Sequence, residues 1–237
     1  YENIKKEYPD KRPVILSRSG WASSPKLGVS VWSGDAEASW KGFKIQPFIM
    51  TSASLSGFSY WASDVGGFVG EGTPHLFTKW NEFGLFSPIY RPHGSGVDRE
   101  PWSYEGDALK DVAGLLKLRA KFLPYIYSTA YSTSFHGIPF IRPIDVSSPS
   151  LSNEERVEFE NQEYFFGESI LYRQTYENDE YNVYLPNIGD WIDLKDNKIY
   201  GGGLKHSITY KRGEPSYFLK PNGIFIMNSK ADYNKPE

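Results

Sequence analysis

The sequence predicts an α/β segment over residues 1–145, amounting to the C-terminal half of a (β/α)8 barrel, followed by an antiparallel β-sandwich-like segment over residues 146–237. Three observations predict it. Up to about residue 145, short apolar runs alternate with longer helical patterns, as in βα units around a parallel sheet. Polar residues gather just after each apolar run, at the rim where (β/α)8 barrels carry their chemistry. Beyond that point the helical period gives way to short β runs separated by turn clusters.

The elements follow in order. Val14-Ile15-Leu16 predicts the first strand, ending at Ser17-Arg18-Ser19-Gly20. Val29-Ser30-Val31-Trp32 predicts the second, with one helix after it over 39–55. Phe58-Ser59-Tyr60-Trp61 predicts the third, running into Ser63-Asp64-Val65-Gly66-Gly67, and a short helix over 75–83 follows. Pro88-Ile89-Tyr90 predicts the fourth, ending in Arg91-Pro92-His93-Gly94. Leu109, Val112, Leu116, Ala120 and Leu123 then recur at helical spacing, with Asp107 as the N-cap. Pro124 ends that helix or opens the next, which closes at Gly137.

Four such units fill about 140 residues, whereas a whole barrel takes roughly 250, hence half a barrel. A small doubly wound sheet is the alternative, but no glycine-rich phosphate loop follows any of the strands. In the second segment, β runs are predicted at 170–173, 181–186, 191–194, 207–210 and 223–227. Gly201-Gly202-Gly203 and Pro221-Asn222-Gly223 supply turns, and residues 147–153 read as a linker.

A net charge of −3 lacks the basic footprint that nucleic-acid phosphates require, so no nucleic-acid partner is expected. No apolar run approaches the about 20 residues that cross a bilayer, so no membrane partner is expected either. The first six residues lack a signal-peptide core, and the start at Tyr1 suggests a processed or truncated product. Localisation is left open, with a secreted or periplasmic setting favoured over a cytoplasmic one; the oligomeric state is also left open. With no cysteine, chemistry falls to carboxylates, histidines or hydroxyls. The four histidines are scattered without metal-ligand spacing, so no metal and no cofactor is expected. Aromatic residues make up 16% of the chain; they suit the apolar faces of sugar rings, and they equally fill cores.

Asp35 follows Trp32 at a strand end, where lost solvation would keep a carboxyl protonated as a general acid; it could equally cap the next helix. Asp64, after Trp61, could accept hydrogen bonds from sugar hydroxyls or be an ordinary turn aspartate. His93 could donate to a hydroxyl or be a surface group, and Arg18 could tune a neighbouring carboxylate or make a rim ion pair. Their shared placement at successive strand ends favours the functional readings.

Several ordered motifs carry a resemblance: Arg12-Pro13-Val14-Ile15-Leu16-Ser17-Arg18-Ser19, Trp32-Ser33-Gly34-Asp35, Ser63-Asp64-Val65-Gly66-Gly67-Phe68, Arg91-Pro92-His93-Gly94 and Arg99-Glu100-Pro101-Trp102. With Leu123-Pro124-Tyr125-Ile126-Tyr127 and Trp191-Ile192-Asp193, they resemble glycoside hydrolase family 31 over about residues 12–227. The resemblance implies a (β/α)8 barrel with β-sandwich domains around it. It also implies exo-acting cleavage of α-linked glucose or xylose with retention of configuration, an oligosaccharide substrate and no cofactor. Asp35 matches the acid/base aspartate, Arg18 and Trp32 the lining of the terminal-sugar subsite, and Asp64 and His93 its hydroxyl-binding groups. Trp61 joins these as a substrate-binding residue.

The family's nucleophile motif, Trp-x-Asp-x-Asn-Glu, has no counterpart here; Trp191-Ile192-Asp193 resembles it only superficially. This chain alone is therefore expected to lack hydrolytic activity and to need the preceding part of the same protein as its partner. An α-glucosidase or transglucosylase on short α-glucans is the leading reading, and an α-xylosidase the alternative. A non-catalytic carbohydrate-binding or scaffold protein is the rival from another class.

Overall fold

The computed structural model describes residues 1–177 and 180–231. After a short helix α1 (Glu2–Glu7), the apolar runs pair as expected: β1 (Ile15–Ser17), β2 (Val29–Trp32) and β3 (Trp61–Ala62) form a parallel sheet in sequence order. The fourth run differs. Ile89 makes one parallel bridge to Ala62, and Pro92 another to Val65, with no strand between them. Pro88 and Pro92 each lack the N–H that a continuous ladder needs, so pairing is reduced to single bridges.

The helix expected over 39–55 is two helices, α2 (Trp40–Lys44) and α3 (Gln46–Leu55). Pro47 has no N–H to donate back to Phe43, so the first helix stops and a second restarts with proline in its first turn. Helix α4 (Pro74–Leu85) starts at Thr73, whose hydroxyl accepts from Leu76 N at 3.2 Å. It is buried from Leu76 to Leu85, including Lys79 and Glu82, because it lies between the parallel sheet and the β-rich segment. Helices α5 (Ala108–Lys121) and α6 (Leu123–His136) follow, with Pro124 opening α6 and Gly137 closing it at φ 71°. Asp107 is the N-cap of α5, its carbonyl accepting from Asp111 N at 2.9 Å, but its side chain makes no capping hydrogen bond; the carboxylate faces Arg212 at 3.3 Å instead.

The antiparallel strands begin at β4 (Ile141–Pro143). Residues 147–153 are only partly a linker, since Ser152 and Glu155 form a capping box that starts α7 (Asn153–Gln162). Strands β5 (Glu163–Phe166), β6 (Ile170–Arg173), β7 (Glu180–Leu185), β8 (Trp191–Asp193), β9 (Lys198–Tyr200), β10 (Leu204–Thr209) and β11 (Tyr217–Leu219) complete the segment. Six make one sheet in the order β4-β5-β6-β11-β8-β9, and β7 pairs with β10 in a second. Leu171, Trp191 and Phe218 of the first sheet share a core with Val183, Leu185 and Ile208 of the second.

The run expected as a strand at 223–227 is not one. Its Ile224 N–H donates to Ser169 Oγ at 3.2 Å, and Phe225 packs edge-on to Phe122 and Tyr125, so aromatic burial holds it instead of a ladder. One hydrophobic core runs from Val31 and Trp61 through Phe83 and Phe86 to Tyr172 and Tyr217, joining the α/β and β-rich segments. Among the described residues no helix is long and apolar enough to cross a membrane.

Candidate active site

Because β1, β2 and β3 run parallel, their C-terminal ends lie along one edge, and the residues after them meet there. Arg18 Nη1 donates to Asp35 Oδ1 at 2.7 Å, joining the ends of β1 and β2. Arg91 Nη2 donates to Asp64 Oδ1, joining the end of β3 to the bridged segment that holds Ile89 and Pro92. The Arg91 guanidinium also lies 5.5 Å from the centre of the Trp32 ring. His93 sits beside Phe68, with ring centres 5.5 Å apart.

Asp35 is not a helix cap. Ser39 holds that position, accepting from Gly42 N at 3.1 Å. The desolvation expected from Trp32 is not met within the described residues, because the Asp35 side chain is 42% exposed and paired with Arg18.

Asp64 is the reverse case: it is fully buried, and its Oδ2 has no hydrogen-bond partner. Burial pushes its carboxyl above the usual range; Arg91, His93 and Arg18 oppose that shift, while the charge of Asp35 adds to it. Four charged or titratable groups thus act on Asp64. Trp61, expected as a binding residue, offers no face: it is 2% exposed and packs edge-on to Phe83 in the core beneath the rim.

The loop after β3 is stitched into its neighbours on both sides. Phe68 N donates to Ala36 O at 2.6 Å and Ala38 N to Val69 O at 2.8 Å, next to Asp35. On the other side Val65 N donates to Arg91 O at 3.1 Å and Ser95 N to Phe68 O at 2.8 Å, bracketing His93. Gly67 makes this closeness possible: at φ 87°, a Cβ there would lie 2.5 Å from Ala38 Cα.

Sequence reasoning did not single out Arg91 or Arg99 as site residues. Each was visible only as part of a motif, Arg91 in Arg91-Pro92-His93-Gly94 and Arg99 in Arg99-Glu100-Pro101-Trp102. Arg99 lies far along the chain and binds backbone carbonyls, which leave no mark on residue type. A groove of about 520 Å³ beside His93 is lined by Gly94, Arg99 and Glu100 among others. Among the described residues no group of three His, Asp or Glu could hold a metal ion. Asp193 lies away from this rim, in β8, where its Oδ1 accepts from Lys195 N at 2.9 Å and Trp191 beside it is fully buried.

Residues 1–129 match the model of the glycosyl hydrolases family 31 TIM-barrel domain, and residues 137–225 match that of the glycosyl hydrolase family 31 C-terminal domain. The chain belongs to glycosyl hydrolase family 31.

Within it, a probable glucan 1,3-alpha-glucosidase of Oryza sativa subsp. japonica is 30% identical over 93% of this chain and 24% of its own length. An alpha-xylosidase of Saccharolobus solfataricus is 31% identical over 96% of this chain and 32% of its own. A Flavobacterium johnsoniae dextranase of the family, solved with glucose, superposes with a TM-score of 0.86 at 25% identity, over 99% of this chain and 30% of its own. The chain therefore spans a quarter to a third of these relatives.

Proposed function

We propose that residues 1–145 are the C-terminal half of a (β/α)8 barrel, that residues 146–237 are a β-sandwich-like domain beside it, and that together they form part of a retaining, exo-acting α-glycoside hydrolase. The observation that carries this reading is the convergence of Asp35, Asp64, Arg18, Arg91 and His93 on one edge of a parallel sheet, with a buried Asp64 oxygen lacking any hydrogen-bond partner.

In the first step, a carboxylate outside this chain attacks the anomeric carbon while Asp35 gives its proton to the departing glycosidic oxygen. In the second, Asp35 takes a proton from water as that water displaces the enzyme carboxylate. Arg18 complements the ionised Asp35 that accepts this proton. Trp32 offers an aromatic face to the terminal sugar, and Asp64 and His93 bind its hydroxyls; an unpartnered buried carboxylate oxygen gains most from such a bond. Trp61 supports Trp32 and Asp64 from the core. A retaining pair stands about 5–5.5 Å apart, so the nucleophile must be brought to Asp35 by the rest of the protein, and this chain alone lacks hydrolytic activity.

An α-glucosidase or transglucosylase on short α-glucans is favoured by the named glucosidase relatives. An α-xylosidase is the second reading, favoured by the archaeal relative that matches 96% of the chain. The test is a comparison of kcat/KM on aryl α-glucoside and aryl α-xyloside with the full-length protein. We expect the glucoside to be preferred by at least about tenfold, the value of one well-bound hydroxymethyl group. Preference for the xyloside would overturn the choice of sugar. Binding of glucose with no turnover of either substrate would support a carbohydrate-binding protein instead.

A further inference from the structure

We infer that Arg99 is a positioning residue that sets the placement of Asp64 and His93, an inference that rests on the proposed hydroxyl-binding role of those two residues. Arg99 is 5% exposed, and its guanidinium is spent almost wholly on one loop. Nε donates to Gly67 O at 2.7 Å, Nη2 to Gly70 O, and Nη1 to Glu71 O at 3.1 Å and to Tyr104 Oη at 2.9 Å. These are the carbonyls of the loop that leaves Asp64.

The aliphatic stem does a second job. A Cβ on Gly66 would lie 2.7 Å from Arg99 Cδ, and one on Gly94 would lie 2.9 Å from Arg99 Cγ. The stem thus passes between two glycines, one two residues after Asp64 and the other immediately after His93. The same loop bonds to Ala36 and Ala38 on its far side, so a shift of it would also move the segment beside Asp35. Tyr104 is fixed in turn by a parallel stack on Phe77, with ring centres 3.9 Å apart.

Lysine cannot reproduce this. It carries a single ammonium in place of a planar fork, so it cannot reach three separate carbonyls and a hydroxyl at once. A displacement of about 1 Å at a binding group can cost on the order of 100-fold in rate.

The test uses the full-length protein and a set of monodeoxy aryl α-glucosides. In the parent enzyme, removing a hydroxyl held by Asp64 or His93 should lower kcat/KM roughly 10- to 100-fold, the value of a hydrogen bond to a charged group. In Arg99→Lys, kcat/KM on the intact glucoside should fall about 10- to 100-fold and the deoxy penalty should shrink toward unity, because the contact is already lost. Tyr104→Phe, which keeps the stack on Phe77, should move both quantities the same way by a smaller factor. It carries the test if Arg99→Lys does not fold.

A lowered melting temperature with an unchanged deoxy penalty would make Arg99 merely structural and overturn the inference. Asp64→Asn separates the two levels. If it abolishes a deoxy penalty that both Arg99→Lys and Tyr104→Phe leave intact, the inference about Arg99 fails alone. If it leaves every penalty intact, the hydroxyl-binding reading fails first and the inference with it.

Discussion

Two carboxylates one strand apart meet opposite environments: Asp35 is partly exposed beside Arg18, whereas Asp64 is buried with one oxygen unpaired. The backbone between them depends on Gly67, where a side chain would meet the Ala38 backbone at 2.5 Å and the φ of 87° already disfavours any Cβ. Gly57→Ala isolates the second effect, since Gly57 has φ 91° and open space around it. Gly57→Ala should cost about 1 kcal/mol and Gly67→Ala about 2–4 kcal/mol in urea unfolding. Equal costs would show that the close approach to Ala38 has no energetic weight. Asp35, Asp64 and His93 were legible because each follows an apolar run within a few residues, and that spacing is local. Arg99 was not, because three of the carbonyls it binds lie 28 to 32 residues away and any residue could have supplied them.

Among the elements, β5 and β6 enclose a charge cluster that couples the β-rich segment to pH. Glu163 is fully buried, and burial pushes its carboxyl up to about 8 against the opposing effect of Arg173 and of the Tyr184 N–H at 3.0 Å. Arg173 is shared with the half-exposed Glu158, 2.5 Å away, which supplies its counter-charge. The folded state therefore holds a proton that the unfolded state releases near pH 4.5. Stability from this group is complete below pH 4.5 and is lost as pH rises through about 8. Glu163→Gln should flatten that loss, which is on the order of a few kcal/mol, in urea titrations at pH 5 and pH 8. A parent and variant with equal pH slopes would contradict it. Periodicity located most elements but misplaced their ends where proline acted: Pro47 split one predicted helix, and Pro88 and Pro92 reduced a predicted strand to bridges. Helix α7 was hidden because its capping box, Ser152 to Glu155, lies in a polar stretch that reads equally as a linker.

For the whole molecule, the parallel sheet has the order β1-β2-β3, so among the described residues β1 keeps one side unpaired. Val14, Trp21 and Phe135 are 85%, 80% and 72% exposed on the described residues. An unpaired edge with apolar surface is what half a barrel would present to its other half. The βα units were legible because strand and helix periods count them; the proposal that the partner carboxylate of Asp35 lies outside this chain rests only on the family's motif.

Azide rescue distinguishes the role proposed for Asp35, the acid/base group of a retaining site, from that of a nucleophile. In full-length Asp35→Ala, an aryl α-glucoside with a good leaving group needs no acid in the first step, so the glycosyl-enzyme forms and accumulates for want of a base. Azide needs no base, and it attacks from the face opposite the enzyme carboxylate. We expect turnover of the variant to rise on addition of azide, with α-glucosyl azide as the product. No rescue, or β-glucosyl azide, which would mark Asp35 as the nucleophile, would rule out the acid/base role.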